Sequence, residues 1–280
     1  MNMSSSDVGR QIDHEIREVW AHNLESEFAL INELIDTSSY TMISMDTEFP
    51  GVIYHHPNPS QRHNPRAHYR LLKSNVDALH LIQLGLTLAG PTSSVGPGPT
   101  TMTFQFNFRD FDLSRPDPHS PDSILLLSHH AGIDFEATRR LGADTSRFAE
   151  LLISSGIVLS PDPLTWVTFH SAYDFGYLIK ILTGADLPLH LEGFLGLLRV
   201  FFGDSVYDVK HLMRFCGGGL YGGLDRVARV LQVERVAGKC HQAGSDSLLT
   251  WHAFERIRDR WFCDGADLMH AGVLYGLEVC

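Results

Sequence analysis

Residues 40–49, YTMISMDTEF, read as a β-strand that carries two carboxylates, Asp46 and Glu48, in an otherwise apolar stretch. Both faces bear apolar residues, so the strand belongs in the middle of a sheet covered on both sides. Pro50-Gly51 stops it. Residues two apart on a strand point to the same face, which sets Asp46 and Glu48 side by side. Buried there, the two acids repel each other and both lose hydration. They must be protonated, hydrogen-bonded or joined by a cation, unless the strand end frays into water. Hard divalent cations such as Mg²⁺ take oxygen ligands of this kind.

The rest of the chain supplies the sheet and its cover. Residues 23–36 place Leu24, Phe28, Ile31 and Ile35 on one helical stripe. Strands are predicted over Leu79–Leu88 and over Thr101–Phe108, where Phe104, Phe106 and Phe108 share a face. A Gly/Pro-rich turn joins them, so the three strands read as an antiparallel meander. Residues 55–68, proline-interrupted and polar, read as a loop, and helical segments follow around Ser123–His130 and Ser146–Ser155.

After Gly156 a strand at Leu164–Phe169 runs into a helix at Ala172–Leu182. A short strand at Ser205–Asp208 runs into Val209–Phe215, and helices follow at Leu224–Val233 and Asp246–Phe262. Strand-then-helix alternation implies a sheet with helix-covered faces. The expectation is one α/β domain on a mixed sheet spanning all 280 residues, with 1–15 as a flexible lead.

Composition narrows the function classes. Twenty-two basic against 33 acidic residues give a net charge of −11, so a basic nucleic-acid-binding surface is not the default. No apolar run approaches the ~18 residues that span a bilayer. The N-terminus lacks the apolar core of a signal peptide, so the expected location is cytosolic or nuclear. Cys216, Cys240, Cys263 and Cys280 form no Cys-x-x-Cys pair and are expected to be reduced and mostly buried.

Two further acids lie at element ends. Asp174 in FHSAYDFGYL stands three residues after Ser171, which fits a helix capping box. A place facing a crevice at a strand end is the other reading. Asp246 in HQAGSDSLLT fits a helix N-cap, with His241 five residues upstream as a possible proton acceptor. Taken together, four acids and a histidine are the inventory of a two-metal phosphoryl-transfer site. Such a site also reconciles phosphate chemistry with an acidic chain, because metal ions meet the phosphate. Arg66, Arg70, Lys73 and Lys210 are candidate RNA contacts, although a solvated surface suits each of them as well.

MDTEFPG, FHSAYDFGYLIKIL, YDVKHLMR and HQAGSDSLLT, in this order, resemble the catalytic deadenylase of the Ccr-Not mRNA-decay complex. That family belongs to the histidine-base branch of the DEDD exonuclease superfamily, and the likeness runs from about Val19 to about Leu277. The resemblance implies an RNase H-like fold and 3′-to-5′ hydrolysis of mRNA poly(A) tails, with release of 5′-AMP. It implies two divalent ions, Mg²⁺ or Mn²⁺, held by Asp46, Glu48, Asp174 and Asp246, with His241 as the base. It also implies docking on a large helical scaffold and, in many members, on a second nuclease with leucine-rich repeats. Asp208 in YDVKHLMR reads as a helix N-cap near the site rather than a ligand. Phe49, beside the ligands, is a candidate contact for the terminal nucleoside. Trp251-His252 and the loops at 55–68, 90–100 and 115–122 depart from the family pattern. A DNA exonuclease on the same fold and a catalytically silent complex subunit are the competing functions.

Overall fold

The computed structural model describes residues 15–37, 40–55, 64–90, 101–162, 164–263 and 265–278. The elements are β1 (Ile16–Val19), α1 (Leu24–Asp36), β2 (Met42–Glu48), α2 (Pro65–Ala78), β3 (Gln83–Ala89), β4 (Thr101–Asn107), α3 (Pro121–Leu125), α4 (Phe135–Leu141) and α5 (Thr145–Ser154). Then come β5 (Thr165–Thr168), α6 (Ala172–Thr183), α7 (Leu191–Phe202), β6 (Val206–Asp208), α8 (Val209–Leu212), α9 (Leu224–Leu231) and α10 (Ala243–Trp261). The strands form one sheet in the order β1-β4-β3-β2-β5-β6. β3 is antiparallel to β2 and β4, which is the expected meander, and β5 and β6 extend it in parallel with β2.

Strand alternation divides the sheet into two unlike faces. One face carries Ile43, Met45, Leu84, Leu86, Leu88, Phe104, Phe106 and Trp166 into the main core, with residues of α1, α2, α5, α6 and α7. Phe106 meets Phe28 and Phe148 with ring centroids 5.6 and 4.9 Å away, and Trp166 stands edge-on between Phe175 and Phe202. Burying such rings stabilises the fold by several kcal/mol each, on the order of the ~3–5 kcal/mol lost on truncation to alanine.

The opposite face is polar or small, yet buried: Ser44, Glu48, Gln83, Thr87, Thr103, Gln105 and Asn107 are each at most 8% exposed. Helix α10 covers it. Its first residues are small, Ala243-Gly244-Ser245, so its backbone comes close enough for hydrogen bonds. Gln105 Oε1 accepts from the Gly244 N–H at 2.9 Å, satisfying one of the free donors of the helix start. Ser44 donates to the Ser247 carbonyl at 2.7 Å, and the Thr87 hydroxyl bonds those of Ser247 and Thr103 at 2.9 and 3.0 Å. Farther along, Trp251, Phe254 and Ile257 form a second apolar cluster with Val167, Tyr207 and α9.

Several boundaries differ from the sequence reading. α2 starts at Pro65, inside the expected loop, because Asn64 caps it by accepting from the Ala67 N–H at 3.2 Å. Pro65 at the first helical position is a start signal. β1 and α7 were not foreseen: β1 is four residues without clear alternation, and α7, LEGFLGLLRVFF, has glycines that blur its stripe. β3 begins at Gln83 rather than Leu79. The cysteines are a correction too, since Cys216 and Cys240 are partly exposed and Cys263 is exposed. Residues 1–14, 56–63, 91–100 and Cys280 lie outside the described residues, and so do most of the expected flexible lead and much of two of the variant loops.

Gly85 lies opposite Asp46 in the ladder, and a Cβ there would stand 2.0 Å from the Ala243 carbonyl oxygen. Gly85→Ala is therefore expected to destabilise the protein by about 1–3 kcal/mol through overpacking. Gly196, on the open side of α7, has nothing within 4 Å of a Cβ. Gly196→Ala is expected to be neutral or to stabilise by up to about 1 kcal/mol. Urea denaturation midpoints of the two variants check both outcomes.

Candidate active site

The parallel strands β2, β5 and β6 end along one edge of the sheet, where sites of α/β proteins gather. Asp46 and Glu48 occupy the end of β2 on the polar face. Asp246 reaches them from the first turn of α10, which starts at Ala243 with Gln242 at its N-cap position, so Asp246 is not the cap. One carboxylate oxygen from each of Asp46, Glu48 and Asp246 lies within 4.8 Å of the others. Glu48 is 8% exposed and Asp246 7%.

Asp174 approaches from the other side of β2. Its Oδ1 accepts from the hydroxyl of Thr47, the residue between Asp46 and Glu48, at 2.5 Å. Ser171 makes no side-chain capping bond, so the capping-box reading is replaced by this tertiary contact. Asp174 is outside the group of three, yet its charge acts on both Asp46 and Glu48.

The electrostatics follow from this crowding. Burial pushes Asp46 well above the ordinary carboxylate range, and the charges of Asp246, Asp174 and Glu48 push it further. Glu48 is raised by burial and then by Asp246 and Asp174. Burial pushes Asp174 up to about 7, against the bond from Thr47. Asp246 is raised by burial and eased by Arg235.

Arg235 escaped the sequence reading. Its guanidinium lies 2.6 Å from Asp246 Oδ1 and 2.7 Å from Asp225, and it donates to Ser245 Oγ at 2.6 Å. One arginine in VERVAG carries no periodicity or motif that marks it as part of a site. Its nearness to the last acid motif was the available signal.

His241 adopts left-handed backbone, φ 63°, and its N–H donates to Asp246 Oδ2 at 3.0 Å. Its Nδ1 stands 3.9 Å from Glu48 Oε1, with the side chain 41% exposed, so the imidazole borders the acids and also meets water. Cys240 comes close to His241 and Asp246, but burial and Asp225 push its thiol up to about 12. A protonated thiol is a poor ligand for a hard ion.

Phe49 stacks on Tyr173 at 5.3 Å and tilts against Tyr177 at 4.9 Å, which leaves only part of its ring free. Asp208 is wholly buried and caps α8 through the Lys210 N–H at 2.9 Å, as its sequence position suggests. Among the candidate basic contacts, Arg66 pairs with Glu192 and Lys73 with Asp77. Oxygen donors packed at this density, with one arginine among them, fit a hard divalent cation.

The family model for CAF1 family ribonucleases matches residues 19–143. The chain is 51% identical over 269 residues to probable CCR4-associated factor 1 homolog 10 of Arabidopsis thaliana, covering 94% of this chain and 92% of the relative. It is 43% identical over 263 residues to the poly(A) ribonuclease pop2 of Schizosaccharomyces pombe, covering 94% and 75%. Among solved structures it superposes on S. pombe Pop2p in its Mg²⁺- and Mn²⁺-bound form with a TM-score of 0.82, covering 94% of this chain and 99% of that one. It superposes on yeast CAF1 co-crystallised with the NOT1 MIF4G domain with a TM-score of 0.75 at 30% identity, covering 96% and 99%. The acids at the ends of β2, α6 and α10 thus sit on a shared fold, and this chain belongs to the CAF1 family of ribonucleases.

Proposed function

We propose that the chain is a metal-dependent 3′-to-5′ exoribonuclease that shortens mRNA poly(A) tails, releases 5′-AMP and works as a subunit of the Ccr-Not complex. The convergence of Asp46, Glu48 and Asp246 within 4.8 Å carries the reading, because carboxylates this close, two of them buried and one partly so, call for cations. Membership of the CAF1 family, the poly(A) ribonuclease activity in pop2's name and the NOT1-bound yeast relative support the substrate and the scaffold partner.

In this reading Asp46, Glu48, Asp174 and Asp246 hold two divalent ions, Mg²⁺ or Mn²⁺. Bound there, the ions neutralise charge on a phosphodiester and make a nearby water more acidic. His241 takes the proton of the attacking water on its imidazole, and its exposed side passes that proton to solvent. Arg235 opposes the rise that burial causes in Asp246 and holds that carboxylate beside its neighbours. The Thr47 hydroxyl orients Asp174 through its hydrogen bond. Phe49, braced by Tyr173 and Tyr177, offers its remaining surface to the terminal nucleoside.

With a 5′-labelled RNA carrying an A-tail and Mg²⁺, Asp46→Ala is expected to abolish shortening while the protein stays folded by circular dichroism. EDTA is expected to do the same to the wild type. Full activity in either case would reject the reading. His241→Ala is expected to bind Mn²⁺ in calorimetry yet turn over about 10²–10⁴ times more slowly. Turnover at the wild-type rate would remove the base assignment.

Stability against pH tests the crowding itself. Asp174 holds its proton up to about 7 in the folded chain, against 3.8 for an ordinary Asp, and Asp46 and Glu48 are raised as well. The folded state then binds more protons than the unfolded one, so stability is full below the ordinary carboxylate range and is lost as pH rises. The melting temperature of metal-free protein is expected to fall as pH is raised from about 4 to about 7. Asp46→Asn is expected to flatten that slope, and so is saturating Mn²⁺.

A further inference from the structure

A second cluster stands on the same edge of the sheet, at the ends of β5 and β6. Its centre is the Asp208 carboxylate, 0% exposed. Oδ1 accepts from the N–H groups of His170 and Lys210 at 2.8 and 2.9 Å. Oδ2 accepts from those of Ser171 and Tyr275 at 3.2 and 3.0 Å. One buried acid thereby ties together the loop after β5, the start of α8 and the chain near residue 275. It also holds His170 in left-handed backbone, φ 63°, a conformation that costs energy in a non-glycine residue.

This clamp presents one ammonium group. Lys210 Nζ lies 5.3 Å from the Tyr275 ring centre, 5.8 Å from that of Phe169 and 3.5 Å from His170 Nδ1. The His170 and Tyr275 rings meet edge-on at 5.2 Å. Burial and Lys210 push the His170 pKa down to about 4, so its ring is neutral and tolerates the neighbouring cation. Among the described residues Nζ has no ion-pair partner: the Asp208 charge acts on Lys210, but both of its oxygens are taken up by backbone N–H groups. Arg66 and Lys73, by contrast, are neutralised by Glu192 and Asp77.

The position fits a strand of RNA. β2 and β6 are separated by two strand spacings, about 10 Å. The charge of Asp208 reaches Asp174, which ties the two clusters electrostatically. An ammonium without an ion-pair partner, beside aromatic faces, matches a phosphodiester with its stacked bases.

We propose that Lys210, seated between Tyr275 and Phe169 and backed by His170, holds an RNA backbone phosphate on the 5′ side of the hydrolysed linkage. The proposal rests on the poly(A) reading above and names a substrate contact within it. Lys210 thus supplies, at one point, the positive charge that the acidic chain lacks as a surface.

The test uses the full chain in an Asp46→Ala background, where RNA stays intact, and follows binding of labelled A-tailed RNA by fluorescence anisotropy across a series of KCl concentrations. Lys210→Gln is expected to make the slope of log K against log salt shallower by about 0.7, the value for one phosphate contact on a single strand. Affinity at low salt is expected to fall about tenfold. Lys210→Arg is expected to keep both. The clamp uses the backbone N–H of Lys210, so the melting temperature of each variant is expected to stay that of the parent. An unchanged slope in Lys210→Gln would overturn the phosphate contact while leaving the poly(A) reading intact. Absence of salt-dependent RNA binding in the Asp46→Ala parent would sink both. Equal Lys210-dependent binding of poly-glutamate would assign the cation to an acidic protein partner instead and overturn the RNA contact.

Discussion

The structure depends on holding negative charges together where water screens them poorly. Two unit charges 4 Å apart repel by about 4 kcal/mol at the effective dielectric near a protein surface, and burial adds the cost of lost hydration. Asp46, Glu48 and Asp246 are held in that situation, and Asp174 adds its field from across β2. A chain free to relax would move them apart. The contacts that prevent this are a hydroxyl and amide seam, a glycine that lets α10 lie against β3, and Arg235 behind Asp246.

That requirement explains the two unlike faces of the sheet. The apolar face supplies burial energy through rings and aliphatic side chains, as in any α/β core. The face under α10 gives up apolar burial for directional bonds, which fix a helix more exactly in register than greasy contacts do. An active site needs such fixing, since a displacement of about 1 Å in a ligand can cost a hundredfold in rate. Asp208 shows the complementary use of a buried acid: with four backbone N–H donors it needs no cation and becomes a structural clamp. Acids of one chemical type thus divide by what surrounds them.

Much of this was legible beforehand because it is written in local pattern. The alternation in TMTFQFNF and the apolar run to Leu88 gave the meander, and the strand-then-helix passages gave β5-α6 and β6-α8. Asp46, Glu48, Asp174, His241 and Asp246 stood out as polar residues at element ends and through the motifs around them. Illegible were features whose cause is distant in sequence. β1 is held by pairing with β4, more than 80 residues away, and not by its own residues. Asp174 looked like a cap because its true partner, Thr47, lies 127 positions upstream. Cys240 and Cys263 looked buried because thiols usually are, and Arg235 looked like any surface arginine.

By itself the sequence determined which side chains could do chemistry, and on which kind of element each would sit. Periodicity and end signals act over a few residues, and the chain encodes them directly. Only the tertiary structure decided which acids meet and which of them find a partner. Those outcomes depend on distances of a few ångströms between segments far apart in the chain, and Coulomb and desolvation energies change steeply over such distances.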